Sequence, residues 1–140
     1  MKEELISLET SKLAKEKGFD WKVCNAFVIR KKKIAEEDSY YYNHNGSLNL
    51  SPLKDNSVSE TISRPTQSSL QKWLREEHNL HIYVDTTPTF GDMKSHKSKY
   101  KSLVKVPFQP FKWTTGKYYL GDTYEEALER GLFEALKLIK

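Results

Sequence analysis

The chain has one cysteine, Cys24, so no intramolecular disulfide can form. No secretory h-region precedes it, and a reducing, cytoplasmic setting is the expectation. No apolar run approaches the roughly 18 residues that a membrane-spanning helix needs. Glycine is scarce, six in 140 residues, and none sits in a GxxxxGK[ST], GxGxxG or GxSxG pattern, which removes the common phosphate-loop, dinucleotide and hydrolase signatures. The four histidines (44, 78, 81, 96) and Cys24 have no metal-ligand spacing, because a helix stop separates His78 from His81. Glu76-Glu77 and Glu125-Glu126 are helix neighbours that point about 100° apart, so neither pair is a carboxylate dyad. Cys24 has Lys22 nearby but no base, and reads as a buried, inert thiol. Nothing here recommends catalysis, and no cofactor or metal is expected.

What remains bounds the architecture. A length of 140 residues suits one domain, 1–140, able to bury a core without cross-links. Hydrophobic residues are only 37% of the chain while aromatics reach 12%, so the core is small and ring-rich, and the eight tyrosines need partners or water for their hydroxyls. The net charge of +4 is uneven: residues 85–117 carry seven lysines (94, 97, 99, 101, 105, 112, 117) against Asp85 and Asp92. Such a strip attracts nucleotides, nucleic acid or acidic protein surfaces. A solvated loop and a lysine-guarded edge strand produce the same composition.

Residues 2–17 read as a helix, with Gly18 placed as its C′ residue. Val23 and Ala26 to Ile29 read as a buried strand. "RKKKIAEED", 30–38, reads as a solvated turn or short helical turn whose basic and acidic blocks cancel. "SYYYNHNGSLNL" contains Asn45-Gly46, the strongest short hairpin signal, and a strand there sets Tyr41 opposite to Tyr40 and Tyr42. Residues 51–62 are polar and aperiodic, a mobile loop, as are 85–99.

"RPTQSSLQKWLREEHNLHIYV", 64–84, is a complete unit. Pro65 suits a first helical turn, Ser63 is available as a cap, and Leu70, Trp73 and Leu74 make one stripe that should bury Trp73. Asn79 stops the helix in the left-handed conformation. Leu80, Ile82 and Val84 then alternate with His81 and Tyr83 as a half-buried strand. Strands follow at 100–106 and 117–120. The last helix starts at Asp122 as N-cap with Glu125 in a capping box. Its stripe runs through Tyr124, Ala127, Leu128, Gly131, Leu132, Ala135, Leu138 and Ile139, with small residues that allow close approach. The expected fold is α+β: a small antiparallel sheet with helices packed against it in two layers.

The chemistry that survives is a set of polar and aromatic groups on the solvent-facing parity of short strands. Tyr40, Tyr42 and His44 lie on one, His81 and Tyr83 on another, Lys117 and Tyr119 on a third. The start of the 64–78 helix adds Arg64, Thr66 and unpaired N–H groups, and Arg75 lies further along it. Aromatic faces stack bases, and cations and helix starts hold phosphate. Surface tyrosines that merely cover a sheet have the same residue list.

"PTQSSLQKWLREEHNLHIYV" and "DTYEEALERGLFEALKLIK", with the helix ending in "KGF" and the "YYNHN" stretch, resemble small uncharacterised proteins encoded in phage and prophage genomes. The likeness covers most of the chain, most loosely at 51–62 and 85–117. It implies a non-enzymatic binding protein of the host cytoplasm. The leading expectation is a small anionic ligand such as a signalling nucleotide, sequestered against host defence. The alternatives are a module that inhibits a host protein and a weak nucleic-acid binder, with self-association through the small-residue face of 124–139 as an added feature.

Overall fold

A computed structural model describes residues 3–45, 58–87, 99–106 and 118–140. The fold is α+β, with helices and antiparallel strands divided between two compact units, 5–66 and 67–140 with the first four residues. Each unit has its own antiparallel sheet, where one sheet is expected from the sequence.

In the N-terminal unit the first helix, α1, spans Leu8–Glu16, shorter than the 2–17 expected, because Ser7 caps it by accepting from the Thr10 N–H at 3.2 Å. It ends in a Schellman motif. Gly18 takes φ +95°, its N–H donates to Lys15 O at 3.1 Å, and the Phe19 N–H donates to Ala14 O at 2.9 Å. Phe19 and Ala14 are buried beneath this turn. Four strands follow: β1 (Val23–Arg30), β2 (Lys33–Tyr41), β3 (His44–Asn45) and β4 (Val58–Ser63), in the order β2-β1-β4-β3.

Cys24 of β1 is exposed, not buried as expected, because the strand turns alternate side chains outward at its start. Two further expectations are corrected here. Residues 33–38 are an edge strand, not a turn, and the hairpin closes at Lys31-Lys32, both with positive φ (47° and 69°) as a two-residue primed turn demands. The basic-then-acidic block hid this because its charges pair across strands: Arg30 with Glu37, Arg64 with Glu36 at 3.1 Å, and Asn25 Nδ2 with Asp38. The second correction is β4, which occupies 58–63 within the expected 51–62 loop. Its polar appearance misleads because Thr61 and Ser63 are fully buried beside Ile62. The Asn45-Gly46 turn extends outside the described residues. Tyr41 points into the core while Tyr40 and Tyr42 remain exposed, the alternation expected of a strand.

In the C-terminal unit α2 (Gln67–His78) leads through Asn79, at φ 55°, into β5 (His81–Thr86). Strands β6 (Tyr100–Lys105) and β7 (Tyr118–Gly121) complete a sheet in the order β5-β6-β7, and α3 (Tyr124–Lys137) packs on one face. Part of the expected 85–99 loop, Asp85 and Thr86, belongs to β5. The N-cap of α3 is Thr123, not Asp122: Thr123 Oγ1 accepts from Glu126 N at 3.1 Å, and Glu126 Oε2 accepts from Asp122 N at 2.9 Å. The arrangement resembles a capping box one residue later than expected, with the Glu126 carboxylate on the N–H of the residue before the cap.

Ala127, Gly131 and Ala135 face the sheet, and a Cβ on Gly131 would lie 2.7 Å from Ser102 Oγ and 2.9 Å from Ile82 Cγ2. The stripe is therefore packed against its own sheet. Leu136 is buried, while Tyr124 and Leu138 at the stripe's ends are exposed. Gln67 ties α2 to α3 by donating to Glu125 O at 2.9 Å.

Trp73 is 2% exposed, with the His78 ring edge-on at 4.6 Å. Trp73→Ala should cost about 3–5 kcal/mol in chemical denaturation, as other buried large aromatics do. In the N-terminal unit, burial and the nearby Glu37 carboxylate raise the Tyr41 hydroxyl from 10.0 to about 12. The neutral form is favoured in the folded state, so this contribution is intact below pH 10 and is lost as pH rises from 10 towards 12. Alkaline melting curves of Tyr41→Phe should lack that part of the wild-type decline.

Candidate functional site

The C-terminal unit contains an open cleft of about 370 Å³ along the outer edge of β5. Gln71 and Arg75, one helical turn apart on α2, form one wall. His81, Ile82, Tyr83 and Val84 of β5 form the floor, and Tyr124 at the start of α3 closes one side.

Among the described residues β5 pairs only with β6, and no strand pairs with its other edge. The Thr87 N–H donates to Lys99 O at 2.9 Å, and these residues continue the register in which Asp85 faces Lys101. Hydrogen-bonded pairs therefore fall at the odd positions of β5, and the N–H and C=O groups of Ile82, Val84 and Thr86 point outward. Gln71 Nε2 donates to Ile82 O at 2.9 Å, and Asp85 Oδ1 accepts from Thr86 N at 2.8 Å. Val84 keeps both backbone groups turned into the cleft, with no partner among the described residues.

The side chains are equally available. Arg75 is exposed and has no hydrogen-bond or ion-pair partner among the described residues. Tyr83 is 51% exposed and Tyr124 46%, with Tyr124 held edge-on against Tyr100 at 6.3 Å. His81 is oriented by a 3.2 Å contact from its Nε2 to Asn79 Oδ1. The lining includes one cation and no carboxylate or thiol. Such a surface can hold an anion and a planar group.

The ten residues singled out from the sequence fall into different units. Arg75, His81 and Tyr83 meet in the cleft. Tyr119 does not, because its register partner is Ser102, on the face turned to α3; Tyr118 takes the exposed position. Lys117 lies outside the described residues. Tyr40, Tyr42, His44, Arg64 and Thr66 belong to the N-terminal unit. There Tyr40 packs under Lys22 Nζ at 4.3 Å, and His44 is an exposed residue of β3. Arg64 is committed structurally: its Nε donates to Ile6 O at 2.8 Å and its guanidinium lies over the Phe27 ring. Thr66 bridges to Leu5.

The start of α2 is not a vacant anion site either. The Gln67 N–H donates to Glu4 O at 2.8 Å, and Ser68 Oγ donates to the Glu3 carboxylate at 3.1 Å, which places a negative charge where a phosphate would sit. Sequence reasoning missed Gln71 and Tyr124. Gln71 could have been found one turn before Arg75 on the same helix face; Tyr124 was assigned to the buried stripe. Among the described residues no group of three or more His, Cys, Asp or Glu could hold a metal, and no helix is long and apolar enough to cross a membrane.

No family model, curated protein or solved structure matches the chain.

Gln71 and Arg75 should behave oppositely on mutation. Gln71→Ala removes the donor to Ile82 O and should cost about 0.5–1.5 kcal/mol in thermal melts. Arg75→Ala, with nothing to lose in the unliganded protein, should stay within about 0.5 kcal/mol of wild type.

Proposed function

We propose that the chain is a non-enzymatic binding protein whose β5 cleft takes a small anionic ligand with an aromatic group, a nucleotide. The observation that carries this is the unpartnered Arg75 guanidinium beside the exposed rings of Tyr83 and Tyr124. Arginine binds phosphate oxygens through its planar fork, and a tyrosine face stacks on a base. The cleft volume of 370 Å³ falls in the range of small-ligand sites. Val84 N–H and C=O add a donor and an acceptor for the edge of a base. In the phage setting that the sequence resemblance implies, such a protein sequesters a signalling nucleotide in the host cytoplasm.

The unpaired edge at Val84 favours a second reading, in which an extended segment of a host protein adds to β5 as a further strand. Calorimetry against mononucleotides, cyclic dinucleotides and ADP-ribose separates the two. A ligand held as proposed should lose about 1.5–3 kcal/mol of binding in Arg75→Ala, the worth of a charged hydrogen bond, with the melting temperature unchanged. Absence of heat with every nucleotide, together with retention of a host protein by wild type and its loss in Val84→Pro, would leave the strand-addition reading.

A further inference from the structure

The face of β5–β7 turned away from α3 carries a row that continues from Tyr83, at the cleft, across the sheet to residues outside it. Tyr83 of β5 is in register with Leu103 of β6, and Leu103 with Tyr118 of β7. Tyr83 and Tyr118 are 51% and 52% exposed, and Leu103 between them is half-buried. Strands lie about 4.8 Å apart, so the two rings stand about 10 Å from each other on one rigid surface.

The row on either side carries one lysine. His81 is in register with Lys105, and Asp85 with Lys101 and then Leu120. Lys101 Nζ lies 5.9 Å from the Tyr118 ring centroid. Lys99 follows at the end of β6, opposite Thr87. Asp85 is the one acid at the outward positions of the three strands; its carboxylate accepts from Thr86 N and it faces Lys101. The described lysines of the basic strip, Lys99, Lys101 and Lys105, thus lie beside aromatics supplied by neighbouring strands.

We infer that this face is a stacking platform for single-stranded nucleic acid, with bases on Tyr83 and Tyr118 and the backbone phosphates beside Lys101, Lys105 and Lys99. Two exposed rings on an antiparallel sheet hold two bases of one strand, and stacking needs no particular base identity. A duplex keeps its base faces stacked inside and offers the rings nothing, so charge alone would hold it. The platform shares Tyr83 with the cleft, whereas Tyr118 and Lys101 lie outside it, so their variants test the platform alone.

The test is fluorescence anisotropy of the full chain with a labelled 12-nucleotide oligo(dT) and a duplex of the same length, across a salt series. The single strand should bind more tightly than the duplex. Tyr118→Ala should weaken it about 5- to 150-fold, the usual effect of losing one stacking ring, while Tyr118→Phe retains it. Lys101→Ala should lower the salt slope by about 0.7, the value for one phosphate contact on a single strand. Circular dichroism melts establish that each variant is folded, and Lys101→Ala carries the test alone if Tyr118→Ala is not. Equal affinity for duplex and single strand, no binding at low salt, or wild-type binding by a folded Tyr118→Ala would overturn the platform.

Discussion

Gly131 lies so close to Ser102 and Ile82 that a methyl group there would sit 2.7 to 2.9 Å from them, and this close approach of α3 orders the C-terminal unit. It commits the face bearing Ile82, Ser102 and Val104 to burial. By strand alternation the opposite parity, with His81, Tyr83, Lys101, Leu103 and Tyr118, is then committed to water. A one-residue slip would exchange the two sets, so the core contact also decides which aromatic groups are available. The same helix carries Tyr124 to the rim of the cleft and holds α2 through Gln67, which fixes Arg75 beside the edge of β5. A glycine that costs about 1 kcal/mol of helix propensity is compensated by the packing it allows.

Legibility in the sequence followed how one-sided each element is. The alternation of Leu80, Ile82 and Val84 was readable because one face of β5 is buried, and Leu70, Trp73 and Leu74 marked α2 for the same reason. β2 gave no such signal. It is an edge strand exposed at most positions, so its residues obey cross-strand charge pairing and not a hydrophobic period. β4 was hidden by the opposite effect, burial of the small polar residues Thr61 and Ser63. In the site, Arg75, His81 and Tyr83 were legible because they are close in the chain on the unburied faces of α2 and β5. The choice between Tyr118 and Tyr119 was not, because pairing with β6 sets it. Arg64 misled because a cation beside a helix start looks alike whether it awaits a phosphate or, as here, serves Ile6 O and Glu36.

The two proposed surfaces differ in what the protein invests in them. The cleft uses groups that cost nothing to leave in water: an exposed guanidinium, two half-exposed rings and one backbone amide unit. The sheet face uses a rigid spacing set by strand geometry. Neither needs a buried charge, which accords with a chain whose hydrophobic content is too low to offset many desolvated polar groups.

The turn at Lys31-Lys32 bears on what sets the register of the β1–β2 hairpin. Both residues adopt the left-handed region without glycine or asparagine, and two cations lie side by side. Such a turn is a poor nucleus: it neither prefers the hairpin locally nor draws its own arms together. The β1–β2 hairpin must instead be selected by contacts formed along its length, Phe27 and Val28 in the core and the Arg30–Glu37 pair above them. The register of β2 on β1 therefore rests on these contacts and on β4, which pairs along the other side of β1 and leaves it central in the sheet.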